Sequence, residues 1–177
     1  MKNTISKLSD NSKILRFIIS DILFSKNLLE KKEFGINPFF SSIEKHLKFN
    51  LKKIKDQRCL GYINTLIKND KNKSTYFKQH REQGNLKARL IKNYNNNDEL
   101  IIINTAGGVT SGDLNIISLR LTNNVSLCIT TQSMEKIYRC LNLSGFIYTN
   151  IIVGANSYIS WMPLETIFFN GGKLRKR

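Results

Sequence analysis

From His46 onward the chain alternates apolar and polar positions. Leu47, Phe49 and Leu51 alternate with Lys48, Asn50 and Lys52, the period-two mark of a half-buried strand. Further strands are expected at Cys59 to Ile67, Tyr76 to Arg81, Leu86 to Ile91, Leu100 to Asn104 and Leu114 to Leu121. Others are expected at Val125 to Thr131, Phe146 to Val153, Tyr158 to Met162 and Thr166 to Phe169. Each is short, rich in Ile, Val, Thr, Tyr or Phe, and bounded by Gly, Asn or Ser. Val125, Leu127, Ile129 and Thr131 point one way, and Ser126, Cys128 and Thr130 the other. Asn123-Asn124 suits a hairpin turn, because Asn tolerates positive φ. Asn69 to Ser74 is polar turn material, and Asn93, Asn95, Asn96 and Asn97 followed by Asp98 form a surface loop. Gly171 to Arg177 reads as a turn leading into another strand. This grammar points to a β-sandwich, barrel or layered sheet and not to a βαβ array. No repeat rises above the strand spacing. The fold class expected is mainly β, with layered or sandwich-like antiparallel sheets.

Residues 1–45 follow a different pattern. Ile14, Phe17, Ile18, Ile22, Leu28 and Leu29 fit a helical stripe. Ser9, Asp10 and Ser12 precede it as candidate caps, so a helix is expected over about residues 12–32. Pro38, after Gly35 and Asn37, ends the region. The organisation expected is a helical extension over 1–45, which packs on the domain or docks a partner, and a β-rich domain over 46–177.

Composition narrows the function. The 177 residues, 41% hydrophobic, suffice for one core. The net charge of +15 implies acidic partners: nucleic acid, an anionic membrane face or an acidic protein surface. The abundance of Lys, Asn and Ile, which AT-rich codons favour, weakens the nucleic-acid reading. Cys59, Cys128 and Cys140 have no C-x-x-C spacing, so free, mostly buried thiols in a reducing compartment are expected. His46 and His80 alone do not make a His-rich metal site. The apolar run from Ile14 to Phe24 is broken by Arg16, Ser20 and Asp21 and falls short of the ~20 residues of a spanning helix. It also lacks a secretory cleavage site. The expected location is the cytoplasm, with no membrane contact.

Three segments could carry chemistry. Asn104-Thr105-Ala106-Gly107-Gly108-Val109-Thr110-Ser111-Gly112-Asp113 is glycine-rich, but it lacks the Gly-Lys-Ser/Thr of a phosphate loop and leads into a strand. A tight turn is the simpler reading, with Asp113 or Asn104 bonding local backbone. Thr130-Thr131-Gln132-Ser133-Met134-Glu135-Lys136-Ile137-Tyr138-Arg139 combines hydroxyls, a carboxylate and cations without a nucleophile elbow. Trp161-Met162-Pro163-Leu164-Glu165-Thr166 places a proline where a central strand is disfavoured. Trp161 is either a core anchor or an interface residue.

In this order the three segments resemble the urease accessory protein family UreD (also called UreH). The family's Asn-Thr-Ala-Gly-Gly stretch ending in Gly-Asp is matched from Asn104 through Thr105, Gly107, Gly108 and Gly112 to Asp113. Its Thr-Thr-Gln segment and following Glu-Lys-Val-Tyr-Arg are matched by Thr130, Thr131, Gln132, Glu135, Lys136, Ile137, Tyr138 and Arg139. Its Trp-Leu-Pro-Gln-Glu-Thr stretch is matched by Trp161, Met162, Pro163, Leu164, Glu165 and Thr166, followed by an aromatic strand and basic residues. Gln83, Gly84, Leu86, Lys87 and Arg89 are similar to an upstream family strand, with Asn85 in place of proline. The departures are Ser111 for glycine, Leu164 for glutamine, and the N-terminal extension.

The resemblance covers about residues 46–177 and implies a non-enzymatic scaffold for urease maturation. Such proteins bind apo-urease and UreF, which docks the GTPase UreG, and the assembly passes nickel to the urease site. The implied partners are UreF, UreG and the urease apoprotein, in a dimeric assembly. The protein has no cofactor of its own, and nickel is in transit. Asp113, Glu135 and Glu165 are candidate ion-channel groups, and the remaining motif residues are candidate interface groups. Family members are longer, so the chain corresponds to the first half to two-thirds of the family fold, with its C-terminal part missing. Two alternatives remain on the residues themselves. One is a basic β-domain stacking nucleic acid on Tyr62, Tyr76, Phe77 and Tyr94. The other is an enzyme built on Asp113 and Glu165.

Overall fold

Successive strands of this chain change sheet instead of turning back on themselves. The computed structural model describes residues 58–70, 74–93 and 98–177. The expected helix over 12–32, the strand over 47–52 and the boundary between 45 and 46 lie outside the described residues.

In the described part, β1 (Leu60–Asn69) and β2 (Thr75–Gly84) form an antiparallel pair. The chain then bends into β3 (Leu86–Ile91), which pairs antiparallel with β4 (Asp98–Asn104) in a second sheet. Gly84 makes the bend at φ 65°. A Cβ there would stand 1.6 Å from the Leu60 carbonyl oxygen, so only glycine fits.

A winding path follows. It begins with β4 in the second sheet and β5 (Leu114–Leu121) in the first. Next come β6 (Ser126–Gln132) in the second sheet, the short β7 (Glu135–Ile137) on a third side, and β8 (Gly145–Val153) in the first. The pattern repeats with β9 (Tyr158–Met162), β10 (Thr166–Phe168) and β11 (Leu174–Lys176). Each turn lies parallel on the one before: β4, β6 and β9 on one side, β7 and β10 on another, and β5, β8 and β11 on the last. A parallel bridge from Val109 to Ile137 gives the first turn its own contact on the third side. The result is a three-sided coil with roughly thirty residues per turn, within the ~20–50 residue range of solenoid repeats.

The expectation of a mainly β, multi-sheet molecule holds. The antiparallel pairing does not: β1–β2 and β3–β4 are antiparallel, and the other six pairs are parallel. The reason is the winding, since each turn crosses a given side in the same direction as the last. Asn123-Asn124 is accordingly not a hairpin, because it joins β5 of one sheet to β6 of the other. Asn124 does take positive φ there, at 61°. Asp98 is not in a surface loop either; it opens β4 at 5% exposure.

The core lies between the first and second sheets. Ile63, Ile67, Leu119 and Leu121 of one pack with Leu86, Leu100, Leu127 and Ile129 of the other. A smaller cluster of Val109, Ile137 and Ile147, with Leu174 against it, fills the corner at the third side. Burial falls along the coil. In one register column Leu100, Ile129 and Trp161 follow one another at 0%, 0% and 40% exposure. In another, Val109, Ile137 and Phe168 run 1%, 0% and 57%.

Candidate functional site

The winding brings the three sequence motifs to one corner. They are successive passes of the chain over the same place: Asn104 to Asp113 on the first turn, Thr131 to Arg139 on the second, Trp161 to Thr166 on the third. Backbone hydrogen bonds join them, from Val109 N to Lys136 O at 2.8 Å, Tyr138 N to Val109 O at 2.9 Å, and Glu135 N to Glu165 O at 2.9 Å.

Side chains hold each pass in shape. Asn104 Nδ2 donates to the Gly108 carbonyl at 3.1 Å, while its Oδ1 accepts from Ala106 N at 3.0 Å and from Asn85 Nδ2 at 2.8 Å. Thr105 Oγ1 donates to the Asn85 carbonyl at 3.0 Å. Asn85, noted only as a departure from proline, thus ties the β2–β3 bend to the first motif. Its amide also donates to Asn115 Oδ1 at 3.1 Å. Proline has no side-chain amide, so these contacts belong to the asparagine. Thr131 Oγ1 accepts from Leu164 N at 2.9 Å, and Thr110 Oγ1 donates to the Arg139 carbonyl at 3.0 Å.

Gly108 faces the next pass. A Cβ on it would lie 2.4 Å from Tyr138 Cε2 and 2.8 Å from the Lys136 carbonyl. Gly107 sits beside it with nothing within 4 Å of a Cβ position. Gly112 donates its N–H to Ser144 O at 3.1 Å. Tyr138 is 42% exposed and stacks on Phe169, with ring centroids 5.1 Å apart. Gln132, Arg139, Trp161 and Pro163 are exposed around them, and Lys136 is half-buried.

The three candidate carboxylates sit in different surroundings. Asp113 is 3% exposed; its Oδ1 accepts from Cys59 N at 3.0 Å and its Oδ2 from Thr110 N at 2.8 Å. It closes the glycine turn and fastens the start of β1. Burial pushes the Cys59 thiol above its ordinary pKa, and the Asp113 charge adds to the shift, so this thiol stays protonated and unreactive. Glu135 lies on the same strand face as the buried Ile137, two residues on. Its Oε2 is 2.6 Å from Lys176 Nζ and accepts from Thr166 Oγ1 at 3.1 Å. Glu165 is exposed, and its carbonyl receives Glu135 N–H. Among the described residues no three His, Cys, Asp or Glu side chains gather closely enough to hold a metal ion. Asp113, with both oxygens on backbone N–H groups, and Glu165, exposed at a later turn, do not form an acid–base pair.

The stacking groups of the nucleic-acid alternative are not arrayed for it. Tyr62 is 1% exposed in β1, and one face of Phe77 is covered by His80, with ring centroids 4.4 Å apart. Tyr76 is 42% exposed, and Tyr94 lies outside the described residues. Among the described residues no helix is long and apolar enough to cross a membrane.

Residues 62–177 match the family model described as UreD urease accessory protein. The chain is 38% identical over 96 residues to a urease accessory protein UreD of Rhizobium rhizogenes, covering 54% of this chain and 35% of that protein. It is 34% identical over 95 residues to one from Chelativorans sp., covering 54% and 34%. A third, from Xanthobacter autotrophicus, is 36% identical over 96 residues, covering 54% and 33%. The matched stretch therefore spans about a third of the length of these curated relatives.

Proposed function

The chain belongs to the UreD urease accessory protein family, and on that premise we propose that it serves urease maturation as a non-catalytic scaffold. In this reading it binds the urease apoprotein together with UreF, UreF brings in UreG, and the assembly delivers nickel in the cytoplasm. Nickel is cargo, and no residue of this chain is assigned to hold it. The paired assembly implied for the family belongs to the same proposal.

One observation carries the reading. The family match runs over 62–177, and the three family-like motifs inside it converge on one corner whose side chains hold backbone and present Tyr138, Arg139 and Trp161 outward. Such a corner suits recognition of a protein surface, since exposed aromatic and arginine side chains are the usual anchors of interfaces.

Co-expression with UreF, one protein tagged, tests it. The expected result is a soluble complex that survives gel filtration and raises urease activity once UreG, apo-urease and nickel are supplied. Failure to associate, under conditions where a full-length UreD relative does associate, overturns the proposal for this chain.

A further inference from the structure

The third turn of the coil ends the stack with its inward face uncovered. Trp161 occupies the column of Leu100 and Ile129, and Phe168 that of Val109 and Ile137, yet they are 40% and 57% exposed. Met162 at 60%, Leu164 at 43% and Phe169 at 46% extend the apolar surface beside them. The strands β9, β10 and β11 are each the last in their sheet, so all three sides leave a free backbone edge at the same end. An edge of this kind offers a row of unpaired N–H and C=O groups to an incoming strand.

Charge decides what kind of strand. Between residues 131 and 177 the cations are Lys136, Arg139, Lys173, Arg175, Lys176 and Arg177, and the carboxylates are Glu135 and Glu165. Glu135 is already paired with Lys176. A second copy of the chain would bring the same basic end and another +15 of charge, and like charges brought together oppose stacking.

We infer that the open third turn is a docking edge for an extended acidic segment of another protein, which adds to it as a fourth rung. Its apolar side chains lie over Trp161 and Phe168, and its carboxylates face Arg175 and its basic neighbours. Backbone pairing supplies affinity, and the alternate apolar and acidic positions supply selectivity. The inference stands apart from the urease reading, because it rests on the coil's end and not on the family.

Trp161 is the chain's one tryptophan and lies on the proposed edge, so its emission reports whether that edge is covered. The probe is a nine-residue peptide alternating valine and glutamate, compared with a peptide alternating valine and lysine, both titrated into the full chain. The expected result is a saturable blue shift with the glutamate peptide and binding at least tenfold weaker with the lysine peptide. The double substitution Lys173→Glu and Arg175→Glu should reverse that preference. No shift with the glutamate peptide, or equal affinity for both peptides, overturns the inference. So does a blue shift that grows with protein concentration alone, which would make a second copy the occupant.

Discussion

Asp98 shows how a single carboxylate ties the first turn of the coil together. It sits at the start of β4, 5% exposed. Its Oδ2 accepts from Thr75 N at 3.0 Å, its Oδ1 from Asn93 N at 3.3 Å, and Lys92 Nζ stands 3.5 Å away. Lys92 also donates to Ser74 Oγ at 2.6 Å and to the Thr75 carbonyl. Burial pushes the acid's pKa up, but the hydrogen bonds from Thr75 and Asn93 and the charge of Lys92 outweigh it and hold it below the ordinary 3.8. A carboxyl with a depressed folded value stabilises the fold above its unfolded pKa. That contribution is lost as pH falls through the folded value. Asp98→Asn is therefore expected to cost on the order of 1–3 kcal/mol at pH 7, the usual range for a buried charged hydrogen-bonding group. Urea unfolding of both proteins from pH 7 to pH 2 checks it: the two should converge at the acid end, and a constant gap would show that the charge is not what matters. The asparagine run before Asp98 suggests a loop that continues outward, and nothing in its local sequence shows that the aspartate turns inward to Thr75, twenty-three positions earlier.

Among the elements, the glycine corner shows what was legible in the chain and what was not. Alternation located β3, β5 and β9 at the residues where they occur. Alternation looks the same in parallel and antiparallel strands, so it carried no information about pairing direction. The three-residue β7 and β10 are too short to show a period of their own; they persist because neighbouring turns supply their backbone partners. The motifs were visible as clusters of turn residues, but their convergence depends on contacts about thirty residues apart, which no local window contains. Gly108 is where that convergence is tightest. Ala at 108 must displace the Tyr138 ring and crowd the Lys136 carbonyl. Overpacking of this kind typically costs ~1–3 kcal/mol, and here it also moves the stacked Tyr138–Phe169 pair. Gly108→Ala is expected to lower stability by that amount and to weaken UreF association. Gly107→Ala, whose Cβ meets nothing but whose φ is +73°, should cost backbone strain alone, about 1 kcal/mol. Thermal melts of both variants, with co-purification beside them, separate the two effects. Equal loss of association in both would show that Tyr138 packing is irrelevant to the interface.

At the scale of the molecule, stacking turns divide stability unevenly. In a solenoid each turn is supported mainly by the turns beside it. β5 has β1 on one side and β8 on the other, while β9, β10 and β11 each have one neighbour. The interior strands hold residues such as Ile63, Leu119 and Ile129 at 0% exposure, whereas no residue between 154 and 177 is fully buried. Local opening should follow this gradient, since regions with few buried apolar contacts open at low free energy. Amide hydrogen exchange at neutral pH is expected to give slowest exchange in β1 and β5, intermediate in β6 and β8, and fastest in β9 to β11. If β9 to β11 exchanged as slowly as β5, the coil would be one cooperative unit and its end would be capped in solution. Adding the glutamate peptide turns the same measurement into a test of the docking edge. A fourth rung would slow exchange along β9 to β11 while leaving β1 and β5 unchanged, because only the last turn gains a neighbour.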